Sequence, residues 1–153
     1  MVWSTEYLFG LLNICELEMK VKNKLKPNAM AMAGFLIGDT KSSIRMVNLL
    51  KFRKKASYED GRETDLTGEE AYKIYAKDVS TIYLPKVGGK IIFSGRVSRL
   101  LIGEVEDLWD MVAIAEYPNR KAMLKMISDK GYRESEKHRS AGLEGQLNIE
   151  TMS

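Results

Sequence analysis

Residues 44–52, IRMVNLLKF, decide how this chain reads. Nearly every position is apolar, the pattern of a β-strand covered on both faces rather than one with a wet side. Downstream, residues 53–66 are polar and read as a loop. Thr67 then opens T-G-E-E, and Thr67 and Glu70 have the spacing of a capping box, so a helix is expected from there to about 84. Its apolar face is Ala71, Ile74, Tyr75, Val79 and Ile82, and Pro85 is expected to stop it. Val87-Gly88-Gly89 turns the chain into a long strand over 90–102. Residues 103–107 form a polar turn, and 108–117 return as the other arm of a hairpin. After Pro118, Asn119 caps a helix over 120–130 that Gly131 ends. A short helix over 132–141 comes next, closed by Gly142, and 145–152 alternate as a last strand.

From residue 44 the order is therefore β-α-β-β-α-(α)-β, the split βαβ or ferredoxin-like arrangement of the α+β class. Its antiparallel sheet carries helices on one face, and the other face is polar if it meets water. Here it is not polar. In 108–117, Trp109, Met111, Ala113 and Ala115 point one way and Leu108, Val112 and Ile114 the other. An apolar face of that size demands a cover. The economical one is a second copy of the same sheet, which predicts a homodimer through the sheet face. The competing cover is residues 1–43, read as a helical extension to a domain at 44–153: one helix over about 5–25 and a shorter one over 28–37.

The 153 residues suit one such domain. Hydrophobic residues at 44% and charged residues at 29% fit a soluble globular protein. A net charge of +3, with no basic run, gives no ground for nucleic acid as a partner. One cysteine, Cys15, excludes a disulfide framework within the chain and fits a reducing compartment; one histidine, His138, excludes a multi-histidine metal site. The apolar stretch 2–15 carries Glu6 and lacks a basic leader. No run approaches the roughly 18 apolar residues of a membrane span. The expectation is a cytoplasmic protein with no membrane partner and no ligated cofactor.

VNLLKF at 47–52, GGKIIFSG at 88–95, L-x-G at 101–103 with W-D at 109–110, AEYPNRKA at 115–122 and HRSAGL at 138–143 resemble a family of unknown function, the one numbered thirteen-thirty among such domains. It belongs to the dimeric α+β barrel superfamily, and the resemblance covers about residues 44–153. It implies a ferredoxin-like monomer whose sheet pairs with a partner's. The superfamily includes cofactor-free monooxygenases, haem-degrading enzymes, isomerases and ligand-binding regulators, so a fold of this kind leaves function open.

Several side chains are candidates for chemistry. His138 titrates near neutrality and, with Glu116, is the candidate for moving a proton. Arg139 lies in one of the resembling motifs. Asn48 is a polar residue within an apolar strand, so its amide needs partners, from the protein or from a ligand. Ser94 and Arg96 share a face of the long strand; Arg96 either pairs with Asp110 or Glu116 across the hairpin or receives a carboxylate. Tyr72, Tyr75, Tyr83, Trp109, Tyr117 and Tyr132 are core packing or the wall of an aromatic cavity. The sequence leaves three functions open. They are a cofactor-independent monooxygenase- or isomerase-like enzyme acting on a small polar or aromatic acid, a non-catalytic small-molecule binder, and an assembly module using the N-terminal helices.

Overall fold

The apolar strand at 44–52 is the centre of the sheet. The structure, a computed structural model, describes residues 20–152. β1 (Ile44–Phe52) lies between β3 (Met111–Tyr117) and β4 (Leu143–Met152), and β2 (Lys90–Arg96) pairs with the far side of β3. The order is β2-β3-β1-β4 and every neighbour is antiparallel. Helix α1 (Ala29–Leu36) precedes β1. Between β1 and β2 run α2 (Gly68–Asp78), a π-helical turn (Val79–Tyr83) and α3 (Leu84–Lys86). Between β3 and β4 run α4 (Arg120–Ser128) and α5 (Lys130–Gly142). This is the βαββαβ ferredoxin-like topology that the resemblance implies.

Local chemistry starts the helices where expected. The Thr67 hydroxyl accepts from the Glu70 N–H, and the Glu70 carboxylate accepts from the Thr67 N–H, completing the capping box. Asn28 caps α1 and Asn119 caps α4. Several ends differ from expectation. Pro85 lies inside α3 instead of stopping the helix, because the π-helical turn before it resets the hydrogen-bond ladder and leaves Pro85 in a first turn, where no N–H is needed. The wider turn also rotates its own later residues outward, so Ile82 is 43% exposed; Ile74 is 38% exposed, and Tyr72 takes an inward place beside Ala71 and Val79. Gly131 does not end α4. Asp129 does, and its carboxylate then caps α5 by accepting from the Tyr132 N–H.

β2 stops at Arg96 rather than 102. Its partner β3 begins only at Met111, because Asp110 turns to β1: its N–H donates to the Leu50 carbonyl, and its carboxylate accepts from the Phe52 N–H at 2.7 Å. Most of residues 98–109 thus lack a strand to pair with and form a loop, in which Leu101 and Ile102 are 88% and 86% exposed. The helix expected over 5–25 lies largely outside the described residues. Its last part is extended instead, since Lys24 exchanges both backbone hydrogen bonds with Gln146 at the outer edge of β4.

All the helices of the βαββαβ unit cover one face. Ile44, Met46 and Leu50 of β1 and Ala113, Ala115 and Tyr117 of β3 point into it and are buried. α2 and α5 cross where Gly68 meets Gly142, and a Cβ on either would fall on the other's backbone carbonyl. The opposite face carries Val47, Leu49, Val112, Ile114, Leu147, Phe93 and Ile149. Phe93 and Ile149 are 53% and 46% exposed. At one end of it Glu116 accepts from Arg45 at 2.9 Å and lies 3.4 Å from the Lys90 ammonium.

Candidate functional site

The two inward residues at the middle of β3 are alanines. Ala113 and Ala115 fill little of the space above the sheet, and the helices stand off it there. A cavity of about 990 Å³ results. Its floor includes Met46, Asn48, Ala113 and Ala115. Tyr72, Tyr75 and Val79 face it from α2 and the π-helical turn, and Met126 and Tyr132 from α4 and α5. Segment 22–35 forms the remaining wall, with Leu25, Met32 and Phe35 turned inward. Most of this lining is apolar, with a few placed polar groups, the usual make-up of a ligand pocket.

The polar groups form two networks, one around Arg139 and one around Arg120. Arg139, of which 14% of the side chain is exposed, donates to the Gln146 amide oxygen at 2.6 Å, the Leu25 carbonyl at 2.8 Å and the Glu136 carboxylate at 2.8 Å. Burial works against its charge; the neighbouring Tyr75 and Glu136 outweigh it and hold the guanidinium above its usual range. Gln146 in turn donates to the Asn48 side-chain oxygen at 2.7 Å, which also accepts from Asn148 at 3.0 Å. The Asn48 NH₂ donates to the Met46 and Ala113 carbonyls, each at 3.1 Å. All four of its hydrogen-bonding positions are therefore taken within the protein. Arg120 forms a forked pair with Glu150, donates to the Ile37 carbonyl at 2.6 Å, and stacks over Phe35 at 5.2 Å. Arg139 and Arg120 thus tie the segment after Lys22 to the domain at both ends.

Four tyrosines complete the site. The hydroxyls of Tyr75 and Tyr132 share a hydrogen bond at 3.1 Å. Tyr72 and Tyr117 are 7% and 5% exposed, and neither hydroxyl has a hydrogen-bond partner among the described residues. Burial pushes all four phenols up, Tyr72 to about 12, so they are protonated donors at neutral pH.

Of the residues singled out from the sequence, Asn48, Tyr72, Tyr75, Ser94, Tyr117, Tyr132 and Arg139 line this cavity. The others do not. Arg96 pairs with Glu69 at the start of α2, not with Asp110 or Glu116, since the register turns it to the helix side while Glu116 lies on the open face with Arg45 and Lys90. His138 turns away from the cavity to the loop after β1, where its Nδ1 is 2.6 Å from the Tyr58 hydroxyl; burial, then the charge of Arg62, lowers its pKa. Trp109 donates to the Asn23 side-chain oxygen at 2.8 Å, outside the cavity lining. Gln146, Glu136, Arg120 and Glu150 carry no signal in the sequence; nothing in their local spacing brings them together, because they meet only once β4 lies beside β1. Among the described residues no three of His, Cys, Asp and Glu are grouped to hold a metal ion, and no helix is long and apolar enough to cross a membrane.

A protein of unknown function from Rhodopseudomonas palustris, RPA0582, has a solved structure 36% identical to this chain, covering 86% of this chain and 98% of its own, with a TM-score of 0.76. Its methylated form gives 39% identity, 87% and 96% coverage, and a TM-score of 0.77. The chain belongs to this protein's family. Members of the family thus share the βαββαβ unit nearly end to end. Two remote likenesses concern the fold outline alone. One is to a dimeric protein of unknown function and ferredoxin-like fold from Bacteroides fragilis (12% identity, 75% of this chain and 100% of its own, TM-score 0.43). The other is to SnoaB, a cofactor-independent oxygenase from Streptomyces nogalater (11% identity, 73% and 93%, TM-score 0.47). No protein-family model matches the chain, and no curated protein matches it.

Proposed function

We propose that this chain is a small-molecule-binding protein that works as a homodimer, with a mainly apolar ligand held between its sheet and its helices. One observation carries the reading: the cavity of about 990 Å³ above Ala113 and Ala115, with its apolar lining and a few placed polar groups. Binding without catalysis is favoured over a cofactor-independent enzyme. Proton transfer needs a group that changes charge near neutrality beside the ligand. His138 and Glu116 lie outside the cavity, and the carboxylates that line it, Glu136 and Glu150, are each paired with an arginine.

The homodimer rests on the open sheet face. Phe93, Ile149, Val112 and Ile114 form an apolar surface there, and the exposed Leu101 and Ile102 lie in the loop that joins β2 to β3. Arg45, Glu116 and Lys90 give its end charges of both signs, so a two-fold axis sets each against its opposite. Residues 44–153 are the dimerising domain, with 1–43 as an extension whose described part, from Lys22, walls the cavity instead of projecting as an assembly arm. A cytoplasmic location fits the lone Cys15.

Native mass spectrometry of the purified protein tests the ligand. The expected result is a co-purified compound, or added naphthalene, bound to the wild type and lost on Ala113→Phe, which fills the floor. A wild type that carries nothing and takes up no naphthalene refutes the reading. Turnover of the bound compound would move the assignment to an enzyme.

A further inference from the structure

The chemistry of the ligand is set by which polar groups of the cavity are already satisfied. Asn48 has none of its four positions left. Arg139 is neutralised by Glu136 and Arg120 by Glu150, so neither guanidinium has an uncompensated charge to offer an anion. The Tyr75 and Tyr132 hydroxyls are bonded to each other, which occupies one of their two O–H donors. Of the cavity's four tyrosines, Tyr72, from α2, and Tyr117, from the end of β3, have hydroxyls with no partner among the described residues. Both residues line the cavity. A buried hydroxyl without a partner is costly, and native folds leave few of them without a reason.

We propose that the Tyr72 and Tyr117 hydroxyls orient the ligand and select an uncharged, largely apolar compound bearing a hydrogen-bond acceptor, such as a ketone or ester carbonyl. This rests on the cavity being a ligand site and adds the class of ligand it takes. Both hydroxyls are donors held protonated by burial. A carbonyl oxygen accepts from either hydroxyl without bringing charge into the apolar lining. A carboxylate placed there would be desolvated with no free cation to pair with. The lining cations without an ion pair among the described residues, Lys22, Lys24 and Arg133, are exposed at the mouth. They supply the rival site, an anion held at the rim. The expectation of a small polar or aromatic acid is thereby narrowed to its uncharged counterpart.

Three probes of one shape separate these outcomes: naphthalene, 2-acetylnaphthalene and 2-naphthoate, titrated calorimetrically into the full chain. The ketone is expected to bind tighter than naphthalene. Tyr72→Phe and Tyr117→Phe should each weaken the ketone about five-fold, the worth of one net hydrogen bond, and leave naphthalene unchanged. Equal binding of ketone and naphthalene, unmoved by either variant, overturns this inference and leaves the cavity reading standing. Tighter binding of the naphthoate, likewise unmoved by the variants, overturns it in favour of the lysine rim. Binding of none of the three overturns both.

Discussion

Replacing Arg139 by methionine removes the one side chain that joins α5, β4 and the N-terminal segment. Three bonds are lost at once: to Gln146, to the Leu25 carbonyl and to the Glu136 carboxylate. The Glu136 bond involves two charged groups and is worth about 2 kcal/mol net, and the two others about 1 kcal/mol each. Methionine fills much of the same volume with an apolar chain and returns about 1 kcal/mol of burial. The expected loss is therefore about 3 kcal/mol. Arg139→Lys keeps a cation for Glu136 but cannot reach three acceptors in a fork, and should lose about half of that. Urea unfolding followed by circular dichroism gives the totals. The tie itself is read locally. Amide exchange at Lys24 and Leu25 should rise in Arg139→Met well beyond the rise within β4, because the segment loses one of its anchors. A double-mutant cycle with Glu136→Gln should show coupling above about 0.5 kcal/mol. A loss below about 1 kcal/mol, additive with Glu136→Gln and without faster exchange at Lys24, would refute Arg139 as the tie.

Three further outcomes are expected. Sedimentation velocity should give twice the monomer mass for the wild type and a monomer for Ile114→Asp, because an unpaired carboxylate in that face is strongly unfavourable; a monomeric wild type removes the sheet-face dimer. His138 is the only histidine and its folded pKa lies below the ordinary 6.5, so protonation favours the unfolded chain; stability is fully present above 6.5 and falls as pH drops below it. The urea midpoint of the wild type should thus fall between pH 7.5 and 5.5 and that of His138→Gln should stay level, whereas parallel profiles would contradict the burial of His138 against Tyr58. Gly142→Ala should destabilise by about 1–3 kcal/mol, since its Cβ meets the Gly68 backbone and α2 must move off α5; an unchanged melting temperature would show that the crossing is loose.

Expectation and structure part at specific residues. Strand β1 runs from Ile44 to Phe52 as read, because a short, mostly apolar stretch bounded by polar loops is the pattern of a covered strand. Thr67 and Glu70, Asn119 and Asn28 start helices where read, because a cap is a contact across three or four residues and needs nothing from the rest of the chain. The ends are harder. Pro85 and Gly131 are not the boundaries that local chemistry suggests, and Arg96 ends a strand expected to run on. A π-helical turn, a shared Asp129 cap and an Asp110 turned toward β1 decide them. Site residues divide in the same way. Asn48 is visible in the sequence as a polar residue within an apolar strand, and Tyr72 as one of several aromatic residues of core or cavity wall. Gln146 and Glu136 are not, because each looks like an ordinary solvated residue until Arg139 lies between them.

From the chain alone come the βαββαβ order, the single domain, the apolar second sheet face and the absence of histidine or cysteine clusters; all of these are set by local propensity, hydrophobic period and composition. Tertiary packing alone decides that two alanines on β3 leave a cavity, that Arg139 and Arg120 fasten the N-terminal segment across its side, and that His138 faces away from it. It also decides which polar groups are used up. Whether Asn48 or Tyr72 has a hydrogen bond to spare depends on strands and helices far apart in sequence, and the chemistry a ligand meets is the part left over once those partners have been satisfied.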